Sequence, residues 1–363
     1  MDLNKEIKKV LFGVLNWGLG HATRSRPLIQ YLLNKGIEVE IASDGLALAY
    51  LEKEFPTLTF HKLRGYDIQY STNKNLLSLK LLYQIPKLKA AIESEKQKVQ
   101  EILYNTNFDL ILSDNRYGFR SATVKSLLIS HQLKLITTVL FKGVNRVLSN
   151  YQKEFDAILV PDFQDKKKKL SGELSETNLP HHFIDPISVF SVDNNDVKKD
   201  IDYLIVLSGP EPQRTLLEKK LIELKPRNLV KIVLVRGTEQ PFSRKTKLET
   251  HNLVQQKELE SLISRSKKMI CRSGYTTIMD LYFLQIPSIL IPTPGQTEQE
   301  YLAEQLIPNS NYLVRKQNQL TSEIFDWIPK VVHKKSLPNL DDYRDLKAFE
   351  NALLLEGFVM PAS

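Results

Sequence analysis

Cysteine is almost absent. Cys271 is the one thiol in 363 residues, so no disulfide can close within the chain, a usage that agrees with a reducing cytosol. No apolar run is long enough to span a bilayer, and MDLNKEIKKV leads straight into a strand rather than a secretory leader. The expectation is a soluble, cytoplasmic protein. Basic and aromatic residues nowhere alternate at a base-stacking spacing, so nucleic acid is not an expected partner. Metal signals are thin as well. His181-His182 has no Cys or carboxylate at ligand spacing, and Asp200-Ile201-Asp202 reads as solvated linker. No metal and no cofactor are therefore expected.

What is present is an ordinary globular balance, 42% hydrophobic and 25% charged, with a formal charge of +8 that suits anionic ligands or an acidic membrane surface. The length favours two domains. Val10–Leu15 (VLFGVL) has the continuous apolar character of a strand buried on both faces. It ends in Asn16-Trp17-Gly18-Leu19-Gly20-His21, and Pro27 then implies a helix starting near Ser25 or a distorted first turn. A dinucleotide fingerprint needs a third glycine where Thr23 stands, so that motif fails. Gly18 and Gly20 still let a ligand approach the backbone closely, with the His21 imidazole at the helix entrance.

Phe108–Leu112 is a second buried strand and ends in Ser113-Asp114-Asn115-Arg116-Tyr117-Gly118; Ser126–Ser130 is a third and ends in His131-Gln132. In open α/β sheets these carboxyl ends face the ligand crevice. Helical spacing predicts a helix over Lys134–Phe155, and the alternating Leu and Lys of residues 76–104 read as an amphipathic helix or hairpin, or as a lipid-contacting face through Leu76, Leu77, Leu79, Leu81 and Leu82. The polar stretch Ser188–Lys199 marks a boundary. This gives domains at 1–190 and 200–340, with a terminal helix over 341–363 free to pack on either.

The second domain repeats the βαβ logic. Tyr203–Leu207 opens into Ser208-Gly209-Pro210-Glu211-Pro212, and Met269-Ile270-Cys271 opens into Arg272-Ser273-Gly274 before a helix from Tyr275. Two such turns make a double phosphate cradle, with Arg214 and Arg272 as countercharges. Asp280 stands where a carboxylate would accept from ribose hydroxyls. The backbone near Val254 can pair with a planar base. The first domain offers an imidazole. His21 could deprotonate an incoming hydroxyl or hydrogen-bond a phosphate; His131 could equally be the base, and Asp114 could orient His21 or cap the following turn.

On the stretch His251 to Leu306 and on NWGLGHATR, the chain resembles GT-B glycosyltransferases of the MurG-like group; SDNRYG and ISHQL resemble an uncharacterised branch of it. The resemblance implies an α/β GT-B architecture, two doubly wound Rossmann-like domains facing across a cleft. It places Ser273, Gly274 and Thr277 at the donor diphosphate, Asp280 at the ribose, Gln296 and Gln299 at the donor sugar and Val254 at the base. Gly18, Gly20, Asn115, Arg116 and Gln132 fall on the acceptor side. The implied activity is inverting, metal-independent transfer of a hexose or N-acetylhexosamine from a nucleotide-diphosphate sugar, UDP-linked, to a lipid-linked or other anionic acceptor, with peripheral contact at the inner membrane face. A nucleotide-sugar 2-epimerase and a non-catalytic nucleotide-sugar binder are the alternatives. An epimerase would need crevice carboxylates, for which Asp114 and Glu211 are the candidates.

Overall fold

Runs such as VLFGVL and LILSD are apolar on both sides of the pleat, and such strands are satisfied only when both sheet faces are covered. The chain meets that requirement twice. The computed structural model describes residues 5–66, 85–136, 142–190, 197–241, 246, 248–330 and 345–361. The leucines expected to form a lipid face at 76–82, residues 191–196 of the expected boundary and residues 341–344 of the last helix lie outside these.

In the first unit β1 (Lys5–Glu6) and β2 (Lys9–Val14) precede α1 (Gly20–Asn34), β3 (Glu38–Ser43), α2 (Gly45–Glu54), β4 (Thr59–Lys62) and α3 (Ile85–Asn105). Then come β5 (Leu110–Asp114), β6 (Ser126–Ile129), α4 (Lys142–Gln152), β7 (Ala157–Val160) and β8 (His181–Phe183). The sheet order is β4-β3-β2-β5-β6-β7-β8 and every pairing is parallel. Val10, Phe12 and Val14 enter one core layer with Leu28, Ile29 and Leu32 of α1, while Leu11 enters the other with Val99, Ile102 and Phe119. Strand succession reverses between β2 and β5, where Val14 lies opposite Asp114. In an open parallel sheet that switch point is where ligands bind.

The described residues of the second unit begin at Ser188. They run β9 (Ile201–Val206), α5 (Gln213–Glu223), β10 (Ile232–Val235), β11 (Glu249–His251), α6 (Gln256–Ser264), β12 (Ser266–Cys271), α7 (Tyr275–Leu284), β13 (Ser288–Leu290), α8 (Thr297–Leu306) and β14 (Tyr312–Val314). Its parallel sheet has the order β11-β10-β9-β12-β13-β14, with the switch between β9 and β12 at Val206 and Cys271. Cys271 is buried in a core layer and burial pushes its thiol up to about 12, so it serves packing.

The chain then returns to the first unit. Helix α9 (Lys347–Leu355) buries Phe349, Ala352 and Leu353 in the same layer as Phe12 and Leu28, and β15 (Phe358–Val359) pairs parallel to β1.

Two expectations about helices are corrected. Helix α1 runs from Gly20 straight through Pro27. Proline forfeits one backbone bond there, and the buried stripe of Ala22, Leu28, Ile29 and Leu32 outweighs it. Of the helix expected over Lys134–Phe155, the described part is Lys142–Gln152, residues 134–136 are not helical, and residues 137–141 lie outside the described residues. The amides of Leu133 and Lys134 are drawn to Leu174 O, and the Asn145 side chain bonds both the amide and the carbonyl of Leu135, at 2.7 and 2.9 Å. Those contacts hold the segment out of a helix.

Candidate active site

The switch point of the first sheet gathers several buried polar groups around His21, which keeps a partly exposed edge. Helix α1 starts six residues after β2, and its first turn carries His21; one turn on, at the helical spacing of three and four, come Arg24 and Ser25. Asp114, fully buried, is the last residue of β5. Its Oδ1 lies 2.8 Å from His21 Nδ1, and its Oδ2 accepts from Arg24 Nε and Ser25 Oγ, both at 2.8 Å. Arg24 Nη2 also donates to Oδ1. Arg24 Nη1 reaches His131 Nδ1 at 3.0 Å, past the end of β6. Burial alone would raise the Asp114 carboxyl, but Arg24 and His21 outweigh it and hold the group well below the carboxylate range. His21 is displaced downward, by burial first and by the Arg24 cation next. At neutral pH it is an uncharged imidazole, the form in which it can accept a proton.

His21, Asp114 and His131 are thus joined, and the link is Arg24, which the sequence reading missed. The signal was available: position 24 follows His21 by three residues on one helix and faces the same strand ends. Gly18 takes a positive φ of 74° in the loop before α1, and Gly20 opens the helix. Asn115 also lies in the left-handed region, φ 56°, and its Oδ1 is buried with no hydrogen-bond partner. Gln132 is half-buried, and its amide donates to Ser130 Oγ at 3.2 Å.

Arg116 is a correction. It is fully buried and pairs with Glu95 at 2.6 Å and with Asp44, while its Nε donates to Val14 O at 2.8 Å. With its donors committed inside the protein, it braces the strand ends instead of meeting an acceptor.

In the second unit both expected turns stand at the carboxyl ends of the two switch-point strands. Gly209 has φ 99°, and no atom lies within 4 Å of where its Cβ would be. At Gly274, which precedes α7, the nearest atom to such a Cβ is Thr277 Oγ1 at 4.0 Å. A ligand can therefore approach both backbones closely. The first-turn amides of α7 have no acceptor within their helix, the arrangement that favours phosphate.

The side chains around these turns are more committed than the sequence suggested. Ser273 is fully buried and donates to Gln299 O at 2.8 Å, while Gln299 Oε1 accepts from the Thr293 amide at 2.9 Å. These two residues brace the turn against α8. Gln296 is the residue before that helix and stays half-buried. Arg214 is neutralised by Glu211 and Glu218, both at 2.6 Å, so it is not a spare countercharge. Arg272, 1% exposed, donates to the carbonyls of Gln213, Ile291 and Pro292. It ties α5 to β13, and burial lowers its guanidinium to about 9. Among the described residues no carboxylate pairs with it. Val254 follows β11 and rests its side chain partly on a core layer. Asp200 and Asp202 are held by Arg265, Lys231 and Lys267.

Asp280, half-buried on α7, accepts from Ser188 Oγ at 2.7 Å, and burial raises its carboxyl to about 7. Folding therefore favours its protonated form. That contribution is complete below the ordinary value of 3.8 and is lost as pH rises towards about 7. Asp280→Asn keeps the acceptor for Ser188 and cannot ionise. Its melting temperature is expected to exceed that of the parent by a few degrees at pH 8, the gap opening above pH ~4 and closing in acid; thermal melts across pH check this. An equal or lower melting temperature at pH 8 would show the carboxylate to be better solvated than this geometry allows.

Glycosyltransferase family 28 C-terminal domain matches residues 209–353, and Glycosyl transferase family 1 matches residues 8–169. Two curated relatives are both UDP-N-acetylglucosamine--N-acetylmuramyl-(pentapeptide) pyrophosphoryl-undecaprenol N-acetylglucosamine transferases. The one from Prochlorococcus marinus is 29% identical over 39% of this chain and 41% of its own length. The one from Exiguobacterium sibiricum is 36% identical over 21% of each. The chain thus spans less than half the length of either relative. Among solved structures, the glycotransferase of kitacinnamycin aligns with 98% of this chain and 97% of its own at TM-score 0.60 and 15% identity. Acinetobacter baumannii MurG covers 98% and 96% at TM-score 0.50 and 13% identity. An Arabidopsis thaliana UGT complexed with UDP-L-rhamnose covers 96% and 95% at TM-score 0.57 and 14% identity. At these identities the structures speak for a shared fold.

Proposed function

From a chain that is MurG-like and of GT-B architecture, we infer an inverting glycosyltransferase that needs no metal and no cofactor, moving a hexose or N-acetylhexosamine from a nucleotide-diphosphate sugar to a hydroxyl acceptor. The observation that carries this reading is His21 held by Asp114 at 2.8 Å at the switch point of the first sheet. The second unit takes the nucleotide: the turns at Gly209 and Gly274 receive the diphosphate, Asp280 the ribose and the backbone near Val254 the base. The first unit supplies the proton acceptor. His21 Nε2 removes the acceptor's hydroxyl proton as that oxygen bonds to the anomeric carbon. The carbon–oxygen bond to the diphosphate breaks on the opposite face, and the electron pair leaves with the nucleotide. Attack from the far face inverts the anomeric centre.

Asp114 and Glu211, the carboxylates that an epimerase would use, are both tied to arginine. Elimination chemistry therefore has little to draw on. The donor is taken to be UDP-linked and the acceptor lipid-linked or otherwise anionic, on the strength of the relatives' substrates and a net charge of +8. Work at the inner face of a membrane fits that acceptor; among the described residues no helix is long and apolar enough to cross one.

A thermal-shift screen of UDP-, GDP- and TDP-sugars, followed by assay for free nucleotide, tests the reading. A UDP-sugar is expected to stabilise the protein and to release UDP when an acceptor is added, while Asp280→Ala loses the stabilisation. If no nucleotide sugar stabilises the parent protein, the donor assignment fails; isomerised sugar without released UDP would restore the epimerase.

A further inference from the structure

We propose that Arg24 is a positioning residue that gives the two histidines of the first unit opposite proton placements, so that the bare nitrogen of His21 is Nε2 and that of His131 is the Nδ1 held against Arg24. The inference rests on the transferase reading for its purpose but not for its geometry. Arg24 is 2% exposed. Its Nη1 is 3.0 Å from His131 Nδ1. A guanidinium has donors and no acceptor, so His131 Nδ1 must be the bare nitrogen and the neutral ring carries its hydrogen on Nε2. At His21 the arrangement is reversed. Its Nδ1 lies 2.8 Å from Asp114 Oδ1 and 2.9 Å from Arg24 Nη2. A carboxylate oxygen and a bare ring nitrogen repel at that distance, so Nδ1 carries a hydrogen and donates it to Asp114. Arg24 Nη2 then spends its hydrogen on the same carboxylate. The lone pair of His21 is left on Nε2.

The groups acting on His21 are Arg24 on its own helix, Asp114 at the end of β5 and His131 beyond β6; Tyr117, whose phenol burial pushes up, sits in the field of Arg24 and Asp114. In an isolated His–Asp pair the carboxylate would favour the imidazolium. Here Arg24 already neutralises Asp114 through two contacts, so the carboxylate orients the ring without charging it. His131, with Nδ1 accepting from Arg24 and Nε2 protonated, is excluded as the base.

The test is a histidine-15N-labelled full chain, read by long-range 1H–15N spectra between pH 5 and 8, with resonances assigned through His21→Gln and His131→Gln. The expected result is hydrogen on Nδ1 with a bare Nε2 at His21, and a bare Nδ1 with hydrogen on Nε2 at His131. In Arg24→Met the His21 midpoint should rise by one pH unit or more, carrying the acid limb of turnover with it, and Arg24→Lys should move it less. The same tautomer on both rings, an imidazolium at His21 at pH 7, or an unmoved midpoint in folded Arg24→Met would each overturn the proposal. The spectra require neither donor nor acceptor, so they fail independently of the transferase reading. If Arg24→Met does not fold, the tautomers of the parent protein decide.

Discussion

His21→Gln is expected to lower turnover by roughly 100-fold or more while leaving nucleotide-sugar binding intact, because a positioned general base contributes about two to four orders of magnitude to such a step. The separation of effects comes from where the residues lie. His21 belongs to the first sheet, whereas the glycine turns and Asp280 belong to the second. Glutamine can still reach Asp114 with its amide and so preserves the polar contact, but it has no basic nitrogen. Measured kcat should collapse, and the thermal shift produced by the donor should stay within about a degree of the parent value. Turnover within tenfold of the parent would mean that water or another group takes the proton. Loss of the donor shift would mean that the imidazole binds phosphate.

Asp114→Ala should cause the largest loss of stability among single substitutions at this site. The carboxylate is fully buried and is bonded by His21, Arg24 and Ser25. Removing it leaves the Arg24 guanidinium buried beside a cavity with no counterion. Breaking a buried pair from one side costs about 3–5 kcal/mol, or roughly 6–20 °C in melting temperature for a unit of this size. The pH dependence has a definite sign. Because Arg24 and His21 hold the folded carboxyl far below its ordinary value of 3.8, its contribution is present above that value and is lost only as pH falls through the folded one. The gap between parent and variant should thus persist from pH 8 down to pH ~4 and narrow in stronger acid. Denaturant melts at pH 7 and pH 4 measure it, and a difference below about 1 kcal/mol at pH 7 would show that Arg24 is solvated after all.

The architecture was legible because buried parallel strands advertise themselves: VLFGVL, LILSD and KKMIC each place the following turn at a strand's carboxyl end. Turn chemistry was legible too, since Gly18, Gly209 and Gly274 mark close backbone approach whatever surrounds them. Charges were harder. Arg116 and Arg214 stand beside site motifs and looked like ligand contacts, yet their carboxylates come from positions 44 and 95 on other elements and from one helical turn along α5. For Arg214 the acids Glu211 and Glu218 stand at helical pair spacing in the sequence itself, whereas nothing local to Arg116 says that it will find Asp44 and Glu95 in the fold. Arg24 was overlooked for the converse reason. Its partners Asp114 and His131 lie 90 and 107 residues away, and the cue the sequence did hold, its spacing of three from His21 on one helix, says nothing of them.

The pairing of β15 with β1 and the burial of Phe349 and Leu353 beside Phe12 also set a timetable for synthesis. Translation delivers the N-terminal sheet first, but that sheet lacks a wall of its core until residue 353 has emerged from the ribosome. The second unit, whose described residues run on from Ser188, has by then left the exit tunnel. The half translated first is therefore the last to complete, and during that interval the nascent chain shows bare apolar surface to chaperones.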